Sequence, residues 1–589
     1  MRIDYYFTHL TYPLLLIVVL GILISFTSES LAQLSPSSSI PPLTSIEELV
    51  TYDKESNFIK EFEIPIIEEL GLKGITIDSQ GYPWFYHSTN KTSTIMKLQP
   101  ESKKITPYTI EGATKVDNAI INLAGGQLLY DDERSIIWFT DARTNSIGKL
   151  DITNGSVELI DIPTPKSGVM GIVMSPDKKN IWFTEIIANK IASLDIKSNQ
   201  ISEYATGNQT GPTLLTFDSK GVLWVTMSYS NNVLRVEPWA LIPGRSGPSS
   251  IGMQTITLQK PDIFSPFGIT IINVKDNIQK MFVADHSSSR VVSSYVYSEN
   301  LNNYSSYWTS PSPQKYLTTL PSQIVADKVG KNVYFPQHGG NRISKIDVRS
   351  GIMTEYDIPT GPVSSAVFIA ISDDGTKVWF TEWASNKVAY LDTTVQIPLN
   401  LQVKSNNTVP LTLKINQPKT LDVKLSVNKN NSNIISSSTS PLSLTEVELA
   451  IIGMTDSGLS GITYDARPQR INMENNFTSQ INLKAQQTNI NPSSSGQYTI
   501  MTKASAPEKD QLFVSLLYPV PVKLDLPVMK LQQQQQQEDN KQLSEGKGGF
   551  IQDLSVRDIV RNAALLAAIG LIAYIVYRRI KRSKSKKEQ

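Results

Sequence analysis

The chain has no cysteine in its 589 residues. Disulfides and thiolate metal sites are therefore excluded. Histidine is nearly as scarce, with only His9, His87, His286 and His338. Net charge is almost absent, with 55 Lys and Arg against 54 Asp and Glu. Seven of the basic residues crowd into residues 578–589, so the rest leans acidic and carries no footprint for nucleic acid. No Gly-rich phosphate loop, Ser-His-Asp order or His-Glu-x-x-His pattern is present.

What the sequence does have is a phrase that returns. Trp138-Phe139-Thr140-Asp141 runs on to Asn145 and Leu150-Asp151. Trp182-Phe183-Thr184-Glu185 runs on to Asn189 and Leu194-Asp195. Trp379-Phe380-Thr381-Glu382 runs on to Asn386 and Leu391-Asp392. Degenerate copies start at Trp84, Trp224, Met281 and Tyr334, giving seven copies. Their spacing runs from 42 residues (Trp182 to Trp224) to 57 (Trp224 to Met281). A repeat of this length, made of strand-like pieces, is the signature of a β-propeller.

One copy shows the physics. Gly171 to Met174 is a short apolar run, and Ser175 to Asn180 is turn material. Ile181 to Thr184 is rich in aromatic and β-branched residues, as strands are. Ile191 to Ile196 and Ile201 to Tyr204 supply a third and a fourth strand. A lone four-stranded blade cannot bury both faces, and the Trp-Phe pair supplies much of the inter-blade core. Residues 58–65 read as a fourth strand without a blade, and the last copy ends at Leu391 without a fourth strand. We expect residues 58–65 to complete the seventh blade, leaving only short protected edges.

The expected fold is all-β: a seven-bladed β-propeller over 58–394, then a β-sandwich of immunoglobulin-like type over 395–527, then a C-terminal transmembrane helix. The sandwich rests on alternating runs such as Leu411 to Ile415, Leu421 to Leu425, Ile481 to Lys484, Gln497 to Met501 and Leu512 to Leu516. Residues 1–32 read as a signal peptide, with Arg2, an apolar run from Pro13 to Phe26 and a small-residue cleavage site at Ser30-Leu31-Ala32; an uncleaved anchor is the alternative. Residues 33–57 are a Ser/Pro-rich spacer and 528–557 a Gln-rich polar linker. Residues 558–578 read as the membrane helix, with Arg561 snorkelling, and 579–589 as a basic cytoplasmic tail. That polarity places the bulk of the chain outside the cell.

The position after Trp-Phe-Thr recurs in every repeat, so its side chains are expected to form a ring on the propeller channel. They are His87, Asp141, Glu185, Met227, Asp285, Gln337 and Glu382. Converging carboxylates suit a hard cation, so Asp141, Glu185, Asp285 and Glu382 are candidate ligands for Mg²⁺ or Ca²⁺. His286 and His338, each directly after a ring position, are candidate bases. The plainer reading is that these groups satisfy backbone atoms of the neighbouring blade, a role that fits Asn145, Asn189 and Asn386. Trp383 reads as core or as a stacking platform.

The phrase as a whole, Trp-Phe-Thr-Glu with Asn-Lys-Ile, Leu-Asp and Ile-Ser-Glu-Tyr, resembles the streptogramin lyase (virginiamycin B lyase) family of seven-bladed propellers. The resemblance covers roughly residues 58–394 and is strongest around Trp138, Trp182, Tyr334 and Trp379. It implies a Mg²⁺-assisted elimination that opens a cyclic depsipeptide at its ester. It also implies histidines just before the Gly/Ala-Ile of inner strands, with a glutamate nearby. The matching positions read here are Lys73, Asn118, Met170, Thr213, Phe267, Ser322 and Ser365, and none is histidine.

Two functions follow as expectations. The first is a membrane-anchored extracytoplasmic module that binds a small-molecule, glycan or protein ligand at the propeller mouth. The second is a metal-dependent lyase or lactonase acting on a cyclic ester or depsipeptide, using Glu185, Asp285, Glu382 and a relocated base at His286 or His338. A third, structural reading makes the head part of a cell-envelope layer.

Overall fold

The computed structural model describes residues 52–525 with interruptions, the longer ones at 243–250, 259–264, 297–304, 428–445, 454–461, 486–496 and 506–513. The expected signal peptide, linker, membrane helix and tail lie outside the described residues. Among the described residues no helix is long and apolar enough to cross a membrane. Helical structure among them is confined to short stretches such as the 3₁₀ turn Pro238–Ala240.

The protein is all-β and is built from four-stranded antiparallel sheets, as a propeller is. The repeat dissected above forms one of them, from Val169–Met174, Asn180–Glu185, Lys190–Asp195 and Ile201–Ala205, paired in chain order. Its neighbours in sequence have the same order, from Leu128–Asp131 to Val157–Asp161 and from Pro212–Phe217 to Met253–Thr257. Two further sheets run from Leu72–Ile77 to Lys104–Ile110 and from Pro266–Lys275 to Ser305–Trp308.

The expected closure is present. Strand Ile59–Glu63 pairs antiparallel with Lys387–Asp392, with Ile59 opposite Leu391 and Glu63 opposite Lys387. The last sheet thus takes three strands from the end of the repeats and one from their beginning.

The Trp-Phe-Thr phrase has a separate job for each letter. The indoles of Trp84, Trp138, Trp224 and Trp379 and the rings of Phe139, Phe183 and Phe380 are almost wholly buried between sheets. The threonine hydroxyl fills a bulge. In five inner strands the register slips just after the first pair, for example between Val169 and Ile172. There Thr184 Oγ1 accepts from Gly171 N at 2.8 Å and donates to Thr213 O of the next sheet at 2.5 Å. Thr140, Thr226 and Thr381 donate in the same way to the carbonyls of Met170, Phe267 and Lys73. One hydroxyl therefore satisfies a bulged amide and stitches two sheets together.

The asparagines fasten the connectors. Asn145, Asn189, Asn341 and Asn386 all take positive φ, from 54° to 58°, which asparagine tolerates better than most residues. Asn145 donates to Ile162 O and Thr164 O, and its Oδ1 accepts from Ser167 N. Asn189 and Asn341 hold the amides of Thr210 and Ser364 in the same manner.

The strands after residue 394 do not stand apart from the head. Strand Val514–Asp525 pairs with Met353–Asp357, placing Val514 opposite Tyr356 and Leu517 opposite Met353. This joins one repeat sheet to Gln497–Ser505, Glu446–Ile452 and Arg470–Asn472 in a single nine-stranded sheet. A second layer holds Leu399–Ser405, Lys419–Val427, Phe477–Ala485 and Ile462–Arg467. Leu401, Val423 and Ile481 of that layer share one core with Leu449 and Ile500 of the first, and with Tyr334, Ile343 and Ile358 of the head. The boundary expected near residue 394 is a change of sequence pattern, not a break in the core.

Candidate functional site

In four sheets the second strand ends on the residue after a threonine, at Asp141, Glu185, Met227 and Glu382; Asp285 and Gln337 end theirs after Ala284 and Pro336, and His87 lies one residue before the end of Pro83–Ser88. Strand register sets Glu185 opposite Val169 and Lys190, Asp285 opposite Pro266 and Arg290, and Glu382 opposite Ala366 and Lys387. All seven ring residues occupy this equivalent place, beside the turn to the third strand. None opens onto a channel. His87 is 3% exposed, Met227 1%, and Asp141, Glu185, Asp285, Gln337 and Glu382 are 0%.

Several of them bond within their own sheet, not to backbone atoms of the neighbouring one as the plainer reading has it. Asp141 accepts from Arg143 N at 2.9 Å and Thr144 N at 3.3 Å. Asp285 accepts from Ser287 N and Oγ and lies 3.6 Å from Arg290 Nε. Gln337 donates to Ser344 Oγ and Glu355 Oε1. Glu382 accepts from Ser385 Oγ at 2.6 Å. Among the described residues no three His, Asp or Glu side chains gather into a group that could hold a metal ion. The Mg²⁺ or Ca²⁺ site expected on Asp141, Glu185, Asp285 and Glu382 is not assembled by this geometry.

Glu185 is the exception. Neither of its oxygens has a hydrogen-bond partner. Burial, joined by the charge of Glu203 and opposed by Lys190, pushes its carboxyl up to about 8. Burial and Glu61 likewise hold Glu382 well above the carboxylate range.

Behind each of these two acids lies a clamp. Glu203 accepts from Thr164 N (2.9 Å) and Thr164 Oγ1 (2.7 Å), and Lys190 Nζ reaches both Glu203 and Thr164 at 2.6 Å. Glu61, Thr360 and Lys387 repeat this arrangement with distances of 2.6 to 2.9 Å. These residues escaped sequence reading; the signal was the recurring Ile-Pro-Thr at Ile162 and Ile358.

The inner strands need two corrections. Gln127 N donates to Thr140 Oγ1 as Gly171 N does to Thr184, so the position matching Met170 in that sheet is Gly126, not Asn118. Asn118 instead takes the amides of Ile120 and Ile121 on its Oδ1. In the last sheet Ala366 stands opposite Glu382 and Ile369 opposite Phe380, so the match is Val367, not Ser365. Asn118-Ala119-Ile120 and Ser365-Ala366-Val367 each carry a Gly/Ala-apolar pair that the true inner positions, Gly126-Gln127 and Val367-Phe368, lack, so pattern reading settles on the wrong residues. The inner positions are therefore Lys73, Gly126, Met170, Thr213, Phe267, Ser322 and Val367. Phe267 packs with Leu214, Phe368 and Leu72, and with half-buried Met170 and Val367, in one apolar cluster drawn from five inner strands.

Lys73 is the one cation at these positions. Its Nζ donates to Ala124 O at 3.2 Å and sits 5.7 Å from the centre of the Tyr86 ring. Burial brings its amine down to about 7 against the pull of nearby Asp141, with Arg143 adding to the fall. Burial raises Asp141 in turn. Gly126, at φ 76°, leaves the space: a Cβ there would lie 2.6 Å from Tyr86 and 3.1 Å from the Lys73 side chain.

The two candidate bases do come together. His286 stacks between Phe267 (4.8 Å) and His338 (5.6 Å). His286 Nδ1 donates to Pro321 O at 3.1 Å, leaving Nε2 as the acceptor nitrogen. Burial lowers both imidazoles, His338 to about 3 with help from His286. A group that weakly basic is poorly matched to proton abstraction near neutrality. Trp383, 9% exposed, packs over Gly71 as core.

Among protein families, the Virginiamycin B lyase family matches over residues 57–246. No curated protein matches the chain. Among solved structures, a streptogramin B lyase is 23% identical, with 59% of this chain and 99% of that one covered and a TM-score of 0.45. Virginiamycin B lyase from Staphylococcus aureus is 21% identical, over 57% and 98%, with a TM-score of 0.45. Kuenenia stuttgartiensis hydrazine synthase is 14% identical, over 56% and 99%, with a TM-score of 0.43. The chain resembles the virginiamycin B lyase family, and residues 57–246 carry that family's sequence pattern.

Proposed function

We propose that this protein is a membrane-anchored, extracytoplasmic recognition module. Its head is read as a seven-bladed propeller, the sixth blade being the first four strands of the nine-stranded sheet and the seventh the sheet closed by Ile59–Glu63. Its two C-terminal layers are read as an immunoglobulin-like neck, and residues 558–578 as the anchor. The head takes a small-molecule, glycan or protein ligand at the end where the inner positions lie.

One observation carries this reading. The inner positions hold Lys73, Gly126, Met170, Thr213, Phe267, Ser322 and Val367, and the apolar cluster around Phe267 stands where the family resemblance implies imidazoles. The test is a panel of lactones and cyclic depsipeptides alongside glycan and peptide arrays. Binding without turnover supports the module. Turnover abolished by Glu185→Gln with Glu382→Gln overturns it.

A second reading is favoured by Lys73. A buried amine at about 7, beside Asp141 and Tyr86, is matched to proton abstraction at neutral pH. On that reading the protein is a lyase or lactonase with Lys73, rather than His286 or His338, as the base. Lys73→Met would abolish its turnover, whereas His338→Gln would not.

A further inference from the structure

At the opposite end of the sheets from the ring lies a cleft of about 590 Å³ that the recognition reading does not use. It opens between the sheet starting at Leu128 and the sheet starting at Val169. Ile136, Trp138 and Ile196 line it with apolar surface. Arg134 and Lys149 enter from one sheet, Lys179 and Lys197 from the other. Its size lies within the range of small-ligand sites, which combine apolar walls with a few placed polar groups.

The charges around it are unequally engaged. Arg134 is held by Asp131 at 2.8 Å and donates to Lys178 O at 3.2 Å, which ties the two sheets together above the cleft. Lys149 is paired with Glu158 at 2.7 Å. Lys179, 75% exposed, meets Asp177 only at 3.7 Å. Asp195 is the single acid in the lining, and its Oδ1 already accepts from Lys197 N, Ser198 N and Ser198 Oγ in its own turn. Four cations thus surround an apolar slot with one acid, and that acid is committed to the backbone.

We propose that this cleft binds a small organic anion with a flat apolar body. The body lies against Ile136, Trp138 and Ile196, and the anionic group sits between Lys179 and Lys197. Lys149 would contribute by exchanging Glu158 for the ligand.

Calorimetric titration of the full-length chain with 2-naphthoate, and with neutral 2-naphthamide, tests it. Naphthoate should bind one to one. Affinity should fall at least about tenfold for the amide and for the Lys179→Glu, Lys197→Glu double variant, the loss of roughly 1.4 kcal/mol of ion attraction. Asp195→Asn should bind more tightly. Lys179 and Lys197 project from turns, so the double variant should melt like the parent. No heat with naphthoate, equal binding of the amide, or undiminished binding by a correctly folded double variant would each overturn the proposal.

Discussion

Changing Glu185 to Gln isolates a single buried proton. The wild-type carboxyl is held at about 8 in the folded chain against an ordinary 4.5. Between those values the folded protein keeps a proton that the unfolded chain releases, so stability falls as pH rises from about 4.5 to 8. At 1.36 kcal/mol per pH unit, the full penalty is about 5 kcal/mol above pH 8, and about 4 kcal/mol of it develops between pH 5 and 8.5. Glutamine keeps the shape and removes the proton. Its buried amide costs roughly 1–3 kcal/mol at every pH. The variant should therefore be the weaker protein at pH 5 and the stronger one at pH 8.5. Urea unfolding followed by tryptophan fluorescence at the two pH values reads this crossing directly. Other titrating groups cancel in the difference between the two proteins. Parallel pH profiles would show that Glu185 is ionised in the folded state and would refute the reasoning.

Lys73 predicts the opposite slope: its amine, lowered to about 7, is neutral when folded and protonated when unfolded, so stability rises from pH 7 towards 10.5, and Lys73→Met should stabilise the protein at pH 6 and lose that gain at pH 10. Thr184→Val leaves Gly171 N and Thr213 O without their bridge and should cost about 2–3 kcal/mol in urea unfolding, more than the same change at exposed Thr153. Glu61→Ala removes the carboxylate that pairs with Lys387, whose side chain is 9% exposed, and should cost roughly 3 kcal/mol and speed proteolysis of the closing strand Ile59–Glu63. For the anchor, the full-length chain should stay with membranes in alkaline carbonate while a chain ending at residue 527 should not; release of both would refute the topology.

The strands were legible because their signals are local. Alternation, turn residues and the Trp-Phe-Thr phrase located the second and third strands of the repeats to within a residue or two. The missing fourth strand after Leu391 and the spare one at residues 58–65 announced the closure. The role of Asn145 and Asn189 followed from their place beside a turn. The inner strands were misread at Asn118 and Ser365, because Asn118-Ala119-Ile120 and Ser365-Ala366-Val367 imitate the Gly/Ala-Ile pattern locally while the register is set by pairing with a strand further along the chain.

The sequence by itself determined the all-β repeat architecture and the absence of thiol chemistry, since each depends on residue identity and short-range spacing. Only the tertiary structure decided what the repeated acids do. Whether Asp141, Glu185, Asp285 and Glu382 face an opening or a turn depends on how neighbouring sheets pack, and packing buries every one of them. It also decided that Lys73 meets Tyr86 and Asp141, that His286 stacks on His338, and that the strands after residue 394 extend a sheet of the head. Those contacts join residues far apart in sequence, and desolvation, which sets their chemistry, exists only once the chain has closed around them.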